Sequence, residues 1–274
     1  MDTIIDADLA LECCGDLFAA DPVGCNMVAA SLRSGVPARL LRARNGDITL
    51  GAALWWGTGW TLTRLRSGAA ELLADAVSTT ESEADRFSVM GEVGEVVSLA
   101  GRWSEQAGGA FETDEAFRVY RLGELRHPPV SGHLSTATLE DAALAVRWSI
   151  DFGADIGHPR VDDPTPQVAA AIDQGRIWIW SINGRPVAQL WTTLARYGAV
   201  RIGGVYTPPE FRGNGYASAL TTAVSADQLS RSSVDVIMLN TQASNSMTNR
   251  LYRHLGFESV FDTMTVWLQP PHRA

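Results

Sequence analysis

The sequence predicts an α/β fold of the α+β kind. A mixed, mostly antiparallel central sheet is flanked by helices, and the chain divides into two tandem domains, 1–126 and 133–274. Three observations carry this expectation. Two Asn-Gly turns, Asn45-Gly46-Asp47 and Asn183-Gly184, each join apolar runs of strand length, a strong hairpin signal. Between 199 and 229 a strand-like run passes through a glycine loop straight into a helical pattern. A length of 274 residues suits two domains, and the stretch at 126–134, Arg-His-Pro-Pro-Val-Ser-Gly-His-Leu, reads as the linker.

In the first half, apolar residues at helical spacing predict helices over 7–18 and 22–32. Residues 39–44 and 48–56 form the first hairpin, and 60–65 a third strand. Helices are expected over 69–77 and 94–106, and Phe-Arg-Val-Tyr-Arg-Leu at 117–122 alternates as a strand. In the second half, Thr138 and Asp141 have capping-box spacing ahead of a helix carrying Leu144, Val146 and Trp148 and running to about Phe152. A Gly-, Asp- and Pro-rich loop at 153–164 and a short helix at 166–173 follow. Strands at 177–182 and 187–194 flank the second Asn-Gly turn. The strand at 199–206 is stopped by Pro208-Pro209. The helix after the glycine loop carries Tyr216, Ala217, Leu220, Ala223, Val224 and Leu229, and 233–239 reads as a buried strand. Asn245 is a good N-cap for a helix with a Leu251, Tyr252, Leu255 stripe, stopped by Gly256 and followed by a last strand.

The chemistry concentrates in residues 203–217, Gly-Gly-Val-Tyr-Thr-Pro-Pro-Glu-Phe-Arg-Gly-Asn-Gly-Tyr-Ala. Glycines in a strand-to-helix turn let backbone N–H groups approach an anion, and the helix start adds unpaired donors and its positive dipole end. Together they make a phosphate cradle. A Walker loop is excluded, because the chain contains no Lys. A dinucleotide fingerprint is excluded too, because Ser218 stands where its third glycine belongs and the loop comes late in the chain. Taken alone, Arg-Gly-x-Gly leaves an ordinary glycine turn open as the alternative.

A second motif narrows the choice. Residues 245–257 read Asn-Ser-Met-Thr-Asn-Arg-Leu-Tyr-Arg-His-Leu-Gly-Phe. Together, Arg212-Gly213-Asn214-Gly215-Tyr216-Ala217 and this Asn-led helix ending in Gly-Phe resemble the GNAT superfamily of acyl-CoA N-acyltransferases. The resemblance is strongest over 199–268 and extends from about 133. The first half has hairpins, helices and a last strand but no Arg-Gly-x-Gly. It reads as a degenerate GNAT-like copy, with an unrelated α+β lid as the alternative, and no repeat is visible residue by residue.

The resemblance implies acetyl transfer from acetyl-CoA to a primary amine by direct attack in a ternary complex. It places backbone N–H groups of Phe211, Arg212, Gly213, Asn214, Gly215, Tyr216 and Ala217 on the pyrophosphate of coenzyme A, with Asn245 as a further cofactor contact. Gly203, Gly204 and Val205 lie along the pantetheine arm, and the Val205 N–H is the oxyanion donor. Tyr252 matches the general acid; a packed core aromatic is the alternative. Where some relatives carry a carboxylate five residues before the Asn, this chain has Asn240, so the base is open among a water relay, Asp155, His158 and Asp163. Glu210 reads as a solvated turn residue. Trp178, Trp180 and Trp191 are candidates for lining the acceptor pocket, core packing being the alternative. The acceptor is a small-molecule or peptide amine. A catalytically silent acyl-CoA binder is the competing reading, which Asn240 favours.

Composition bounds the rest. The net charge is −9, and the 22 basic residues are scattered Arg with no basic stripe, so a nucleic-acid partner is not expected. An acidic surface suits a cationic amine, or simply solubility. Three cysteines, Cys13, Cys14 and Cys25, form neither a disulfide framework nor a metal pattern, and a cytoplasmic location is expected. No signal-peptide pattern opens the chain, and the longest apolar stretch, 50–62, is too short and glycine-broken to span a bilayer. Monomer and homodimer both stay open.

Overall fold

A computed structural model describes residues 1–32, 37–56, 59–80, 86–128, 130–157 and 163–271. The first half contains strands β1 (Asp2–Asp6), β2 (Pro37–Asn45), β3 (Ile48–Trp56), β4 (Gly59–Leu62), β5 (Phe87–Glu92) and β6 (Ala110–Leu122). Its helices are α1 (Ala7–Cys13), α2 (Gly15–Ala20), α3 (Asn26–Ser31), α4 (Ala69–Thr80) and α5 (Val93–Ala107). The second half contains β7 (His133–Thr136), β8 (Ile177–Ile182), β9 (Arg185–Thr192), β10 (Ala199–Tyr206), β11 (Val236–Gln242) and β12 (Phe257–Gln269). Its helices are α6 (Ala142–Asp155), α7 (Thr165–Asp173), α8 (Tyr216–Leu229) and α9 (Ser246–His254).

All twelve strands join one mostly antiparallel sheet in the order β1-β2-β3-β4-β5-β12-β6-β11-β10-β9-β8-β7. Both ends of that sheet follow one plan. Antiparallel neighbours β1 to β4 lead to a parallel pair β4·β5, as β7 to β10 lead to the parallel pair β10·β11. Helices fall at matching points in each half. The repeat that the residues hide is therefore plain in the topology.

The last strand of each half lies inside the other half's sheet. β6 sits between β11 and β12, and β12 sits between β5 and β6. The central pairing runs from Phe257↔Leu122 to Gln269↔Ala110. Across it the Arg118 guanidinium donates from Nε and Nη2 to the two Asp262 carboxylate oxygens at 2.9 Å each, a bidentate arrangement that fixes register.

Helices cover both faces of each half. α4 and α5 bury Leu73, Val77, Leu99 and Trp103 against one face of the first, and α1 to α3 bury Phe18, Val28 and Leu32 against the other. In the second half α8 packs Leu220 and Val224 on one face, while α6 and α7 bury Ala145, Val168 and Ala171 on the other. The Thr138–Asp141 capping box is formed, with the Thr138 N–H donating to the Asp141 carboxylate at 2.9 Å.

Three strands were not expected. β1 and β7 are short edge strands, and β7 begins in the last two residues of the stretch read as linker. β5 has a clean in-out burial pattern over six residues. The helix expected at 7–18 breaks at Cys14 into α1 and α2. All three cysteines are free thiols, and burial pushes Cys14 up to about 11 and Cys25 up to about 12, so these two are packing groups rather than nucleophiles. Among the described residues no helix is long and apolar enough to cross a membrane, and no His/Cys/Asp/Glu group could hold a metal.

Candidate functional site

The glycine loop joins β10 to α8. Pro209–Phe211 form a 3-10 turn, Gly213 and Gly215 take φ of +81° and +78°, and α8 starts at Tyr216. Asn214 Nδ2 closes the bend by donating to the carbonyls of Phe211 and Arg212. From Gly213 through Ser218, no backbone N–H finds an acceptor among the described residues; the first bonded one is Ala219, to Gly215. Six consecutive donors thus surround one bend at the positive end of a helix. Phe211 and Arg212 differ from expectation. Their N–H groups are taken by Pro208 and Pro209 within the 3-10 turn. The Arg212 side chain is also engaged, its Nε to the Thr207 carbonyl at 2.9 Å and its Nη2 to Asp155 at the end of α6. It braces the loop against α6.

Ahead of the loop, β10 departs from both neighbours. Its parallel pairing with β11 ends at Ile202↔Leu239, so 203–206 have no β11 partner among the described residues. Against β9 the register shifts between Gly203↔Trp191 and Tyr206↔Gln189, which inserts one extra residue on β10. Gly204 carries the bulge at φ +57°, where an added Cβ would lie 3.1 Å from the Trp191 ring. This is the use of glycine that a bulge requires.

A cavity of about 440 Å³ lies between this part of the sheet and α6. Gly203, Gly204, Trp191, Gln189, Arg201 and Asn240 are among its walls. Trp178 and Trp180 do not reach it. Strand alternation turns them to the α8 side, into the core with Leu190 and Leu220. The sequence reading missed Arg201 and Gln189, since nothing local marks a buried polar residue on a strand. Asp155 is tied to Arg212, Asp163 caps the start of α7 through Thr165, and His158 lies outside the described residues. Glu210 is exposed in the 3-10 turn, as expected of a solvated residue. A second cavity, of about 170 Å³, shares Arg201 and Asn240 with the first and is walled on its far side by Met27, Leu62 and Met90 from the first half.

Tyr252 is buried on α9, with ring centroids 6.3 Å from Tyr120 and 6.0 Å from Phe257. Desolvation pushes its hydroxyl up to about 12, so it is a neutral phenol at neutral pH. Asn245 is the N-cap of α9, accepting from the Thr248 N–H at 3.1 Å. One turn on, buried Asn249 accepts from the Tyr120 hydroxyl at 2.7 Å and donates to the carbonyls of Gln242, Ala243 and Asn245. It locks the end of β11 to α9.

In the matching bend of the first half, between β4 and α4, four of the donors are taken within the chain. The N–H groups of Arg64, Arg66 and Ala69 bond to the carbonyls of Gly24, Leu50 and Arg66, and Leu65 donates to the Glu95 carboxylate at 2.7 Å. A carboxylate of α5 thus occupies one donor of this bend and places a negative group beside it.

The acetyltransferase (GNAT) family model matches residues 145–257, from within α6 to the first residue of β12. A GNAT-family acetyltransferase from Colwellia psychrerythraea is 15% identical with TM-score 0.61, covering 98% of this chain and 99% of its own. A GCN5-related N-acetyltransferase from Kribbella flavida is 14% identical with TM-score 0.62, over 93% and 96%. A tandem GNAT protein from the clavulanic acid biosynthesis pathway is 15% identical with TM-score 0.62, over 100% and 99%. At these identities the likeness is one of fold. No curated protein matches the sequence.

Proposed function

With residues 145–257 a GNAT acetyltransferase domain, we propose that the chain transfers an acetyl group from acetyl-CoA to a primary amine by direct attack in a ternary complex. The observation that carries this reading is the run of free N–H groups from Gly213 to Ser218 beside the stretch 203–206 of β10 that has no β11 partner among the described residues. The donors of Gly213, Asn214, Gly215, Tyr216 and Ala217 hold the pyrophosphate of coenzyme A. Phe211 and Arg212 frame the bend, and Asn245 borders the site. Gly203, Gly204 and Val205 hold the pantetheine arm as an added strand would be held. Acetyl-CoA bound there supplies the activated acyl group. The Val205 N–H would be the donor to the carbonyl oxygen on which charge develops. As the C–S bond breaks, Tyr252, kept neutral by burial, would donate its proton to the departing coenzyme A thiolate. The first half is a second copy of the fold in which Glu95 takes one donor of the corresponding bend, which its matching strand order and that contact support.

Two measurements test this. Coenzyme A, and neither ATP nor NAD, should raise the melting temperature; at 100 times its Kd a ligand stabilises by about 2.7 kcal/mol. Acetyl-CoA with an amine panel should release thiol, and Tyr252→Phe should lower kcat by about 100-fold with coenzyme A affinity unchanged. Equal stabilisation by all three nucleotides would remove the cradle from the account. The silent acyl-CoA binder stays as the second reading because no described residue lining the cavity is an Asp, Glu or His that could serve as base. Coenzyme A binding without thiol release across the panel favours it.

A further inference from the structure

Arg201 is a costly residue to place where it is. It stands on β10 two residues before Gly203, on the same sheet face as Gly203, Trp191 and Gln189. Its guanidinium makes no hydrogen bond or ion pair among the described residues, although the residue lines both cavities. Burial lowers its pKa to about 10, which leaves it charged at neutral pH. The residue is half-buried by exposed area, and a charge drawn partly out of water with no partner is costly unless one arrives. Gln189 makes a second, independent case. It is 1% exposed, both its amide atoms lack partners, and it lines the same cavity.

The cavity's charge points the same way. Its described lining contains two arginines and no Asp or Glu. Arg176 has donors engaged by Gln174 and the Thr192 carbonyl, so Arg201 is the lining arginine whose fork has no hydrogen bond among the described residues. A polycationic acceptor finds no carboxylate among the described lining residues, despite the net charge of −9 on the whole chain. A carboxylate finds a planar fork of donors that it can meet bidentately. Two strand residues span roughly 7 Å, so that carboxylate would lie close to the bulge at Gly204. The acceptor's amine and its carboxylate must then be near one another in the molecule.

We propose that the acceptor is an amino acid, its carboxylate held by Arg201 and its polar groups met by Gln189. The inference rests on the acetyl-transfer reading but is tested apart from it. Calorimetry on coenzyme A-saturated protein compares the twenty common L-amino acids with their decarboxylated amines. At least one amino acid is expected to bind about 100-fold more tightly than its amine. Arg201→Gln should reduce that amino acid to the affinity of its amine, leaving the amine and coenzyme A unchanged. Arg201→Lys keeps the charge without the fork and should lose at least part of the preference; it carries the test if Arg201→Gln does not fold. No binding by any amino acid, equal binding of amino acid and amine, or a preference that survives both substitutions would overturn the proposal. Loss of coenzyme A binding in the parent protein would instead overturn the reading of the glycine loop.

Discussion

Gly215 shows how a residue can be right for a reason other than the obvious one. Its φ of +78° lies where a Cβ costs about 1–2 kcal/mol, and an added Cβ would sit 3.1 Å from Val130 Cγ2, not in the space of the free donors. Gly213, at φ +81°, has nothing within 4 Å of such a Cβ. Gly215→Ala should therefore lower both the melting temperature and coenzyme A affinity more than Gly213→Ala does. Calorimetric binding on the two variants reads this directly, and equal losses would dismiss the Val130 contact. Glu95 gives a pH prediction. Burial raises its carboxyl to about 7 from an ordinary value of 4.5, with Glu92, Asp21 and Arg64 as charged neighbours and Oε2 unpartnered. Below about pH 4.5 the group is protonated folded or unfolded and contributes no difference. As pH rises to 7 the unfolded chain ionises first, so native stability is lost across that window. The melting temperature of Glu95→Gln should match the parent near pH 4.5 and exceed it increasingly up to pH 8; a constant gap would mean the group does not titrate as its burial dictates. Both glycines of the loop were legible in the sequence, because φ > 0 is a local demand. Arg201 and Gln189 were not, because a missing partner is a property of the packed molecule.

At the scale of elements, α9 is held by more than its cap. Asn249 connects Tyr120 of β6 to three carbonyls at the junction of β11 and α9. Asn249→Ala would leave the buried Tyr120 hydroxyl without its acceptor and the Ala243 carbonyl without its donor, while Gln242 and Asn245 keep backbone partners, which costs about 2–3 kcal/mol. Tyr120→Phe removes one hydrogen bond without orphaning a backbone group and should cost about 1 kcal/mol beyond the donor's own loss at Asn249. Urea denaturation of both variants tests the order; a smaller loss for Asn249→Ala would show that the Ala243 carbonyl is satisfied otherwise. The elements that sequence periodicity found are those with strong local grammar: the Asn-Gly hairpins, the capped α6 and the Asn-led α9. β1 and β7 escaped because edge strands are short and carry polar residues, and their pairing with β2 and β8 is decided by tertiary contact.

The whole molecule departs most from what a linear reading offers. The linker at 126–134 suggests two separable bodies, yet each half closes its sheet with the other's last strand. Topology of this kind leaves no trace in local pattern, since β6 alternates in the same way whichever neighbours receive it. The exchange has a consequence for folding. Residues 133–274 alone would lack β6, so β11 and β12 would lose the strand between them, and with it Tyr120, which is 1% exposed, and the Arg118–Asp262 pair. Unpaired sheet edges and an opened core predict an aggregation-prone fragment without a cooperative melt. A single cut between residues 126 and 133 in the folded chain removes no strand. The two pieces should then co-elute on size exclusion, retain coenzyme A binding, and separate only on denaturation. If residues 133–274 by themselves melt cooperatively and bind coenzyme A as tightly as the full chain, then the exchanged strand is dispensable and the halves are independent after all.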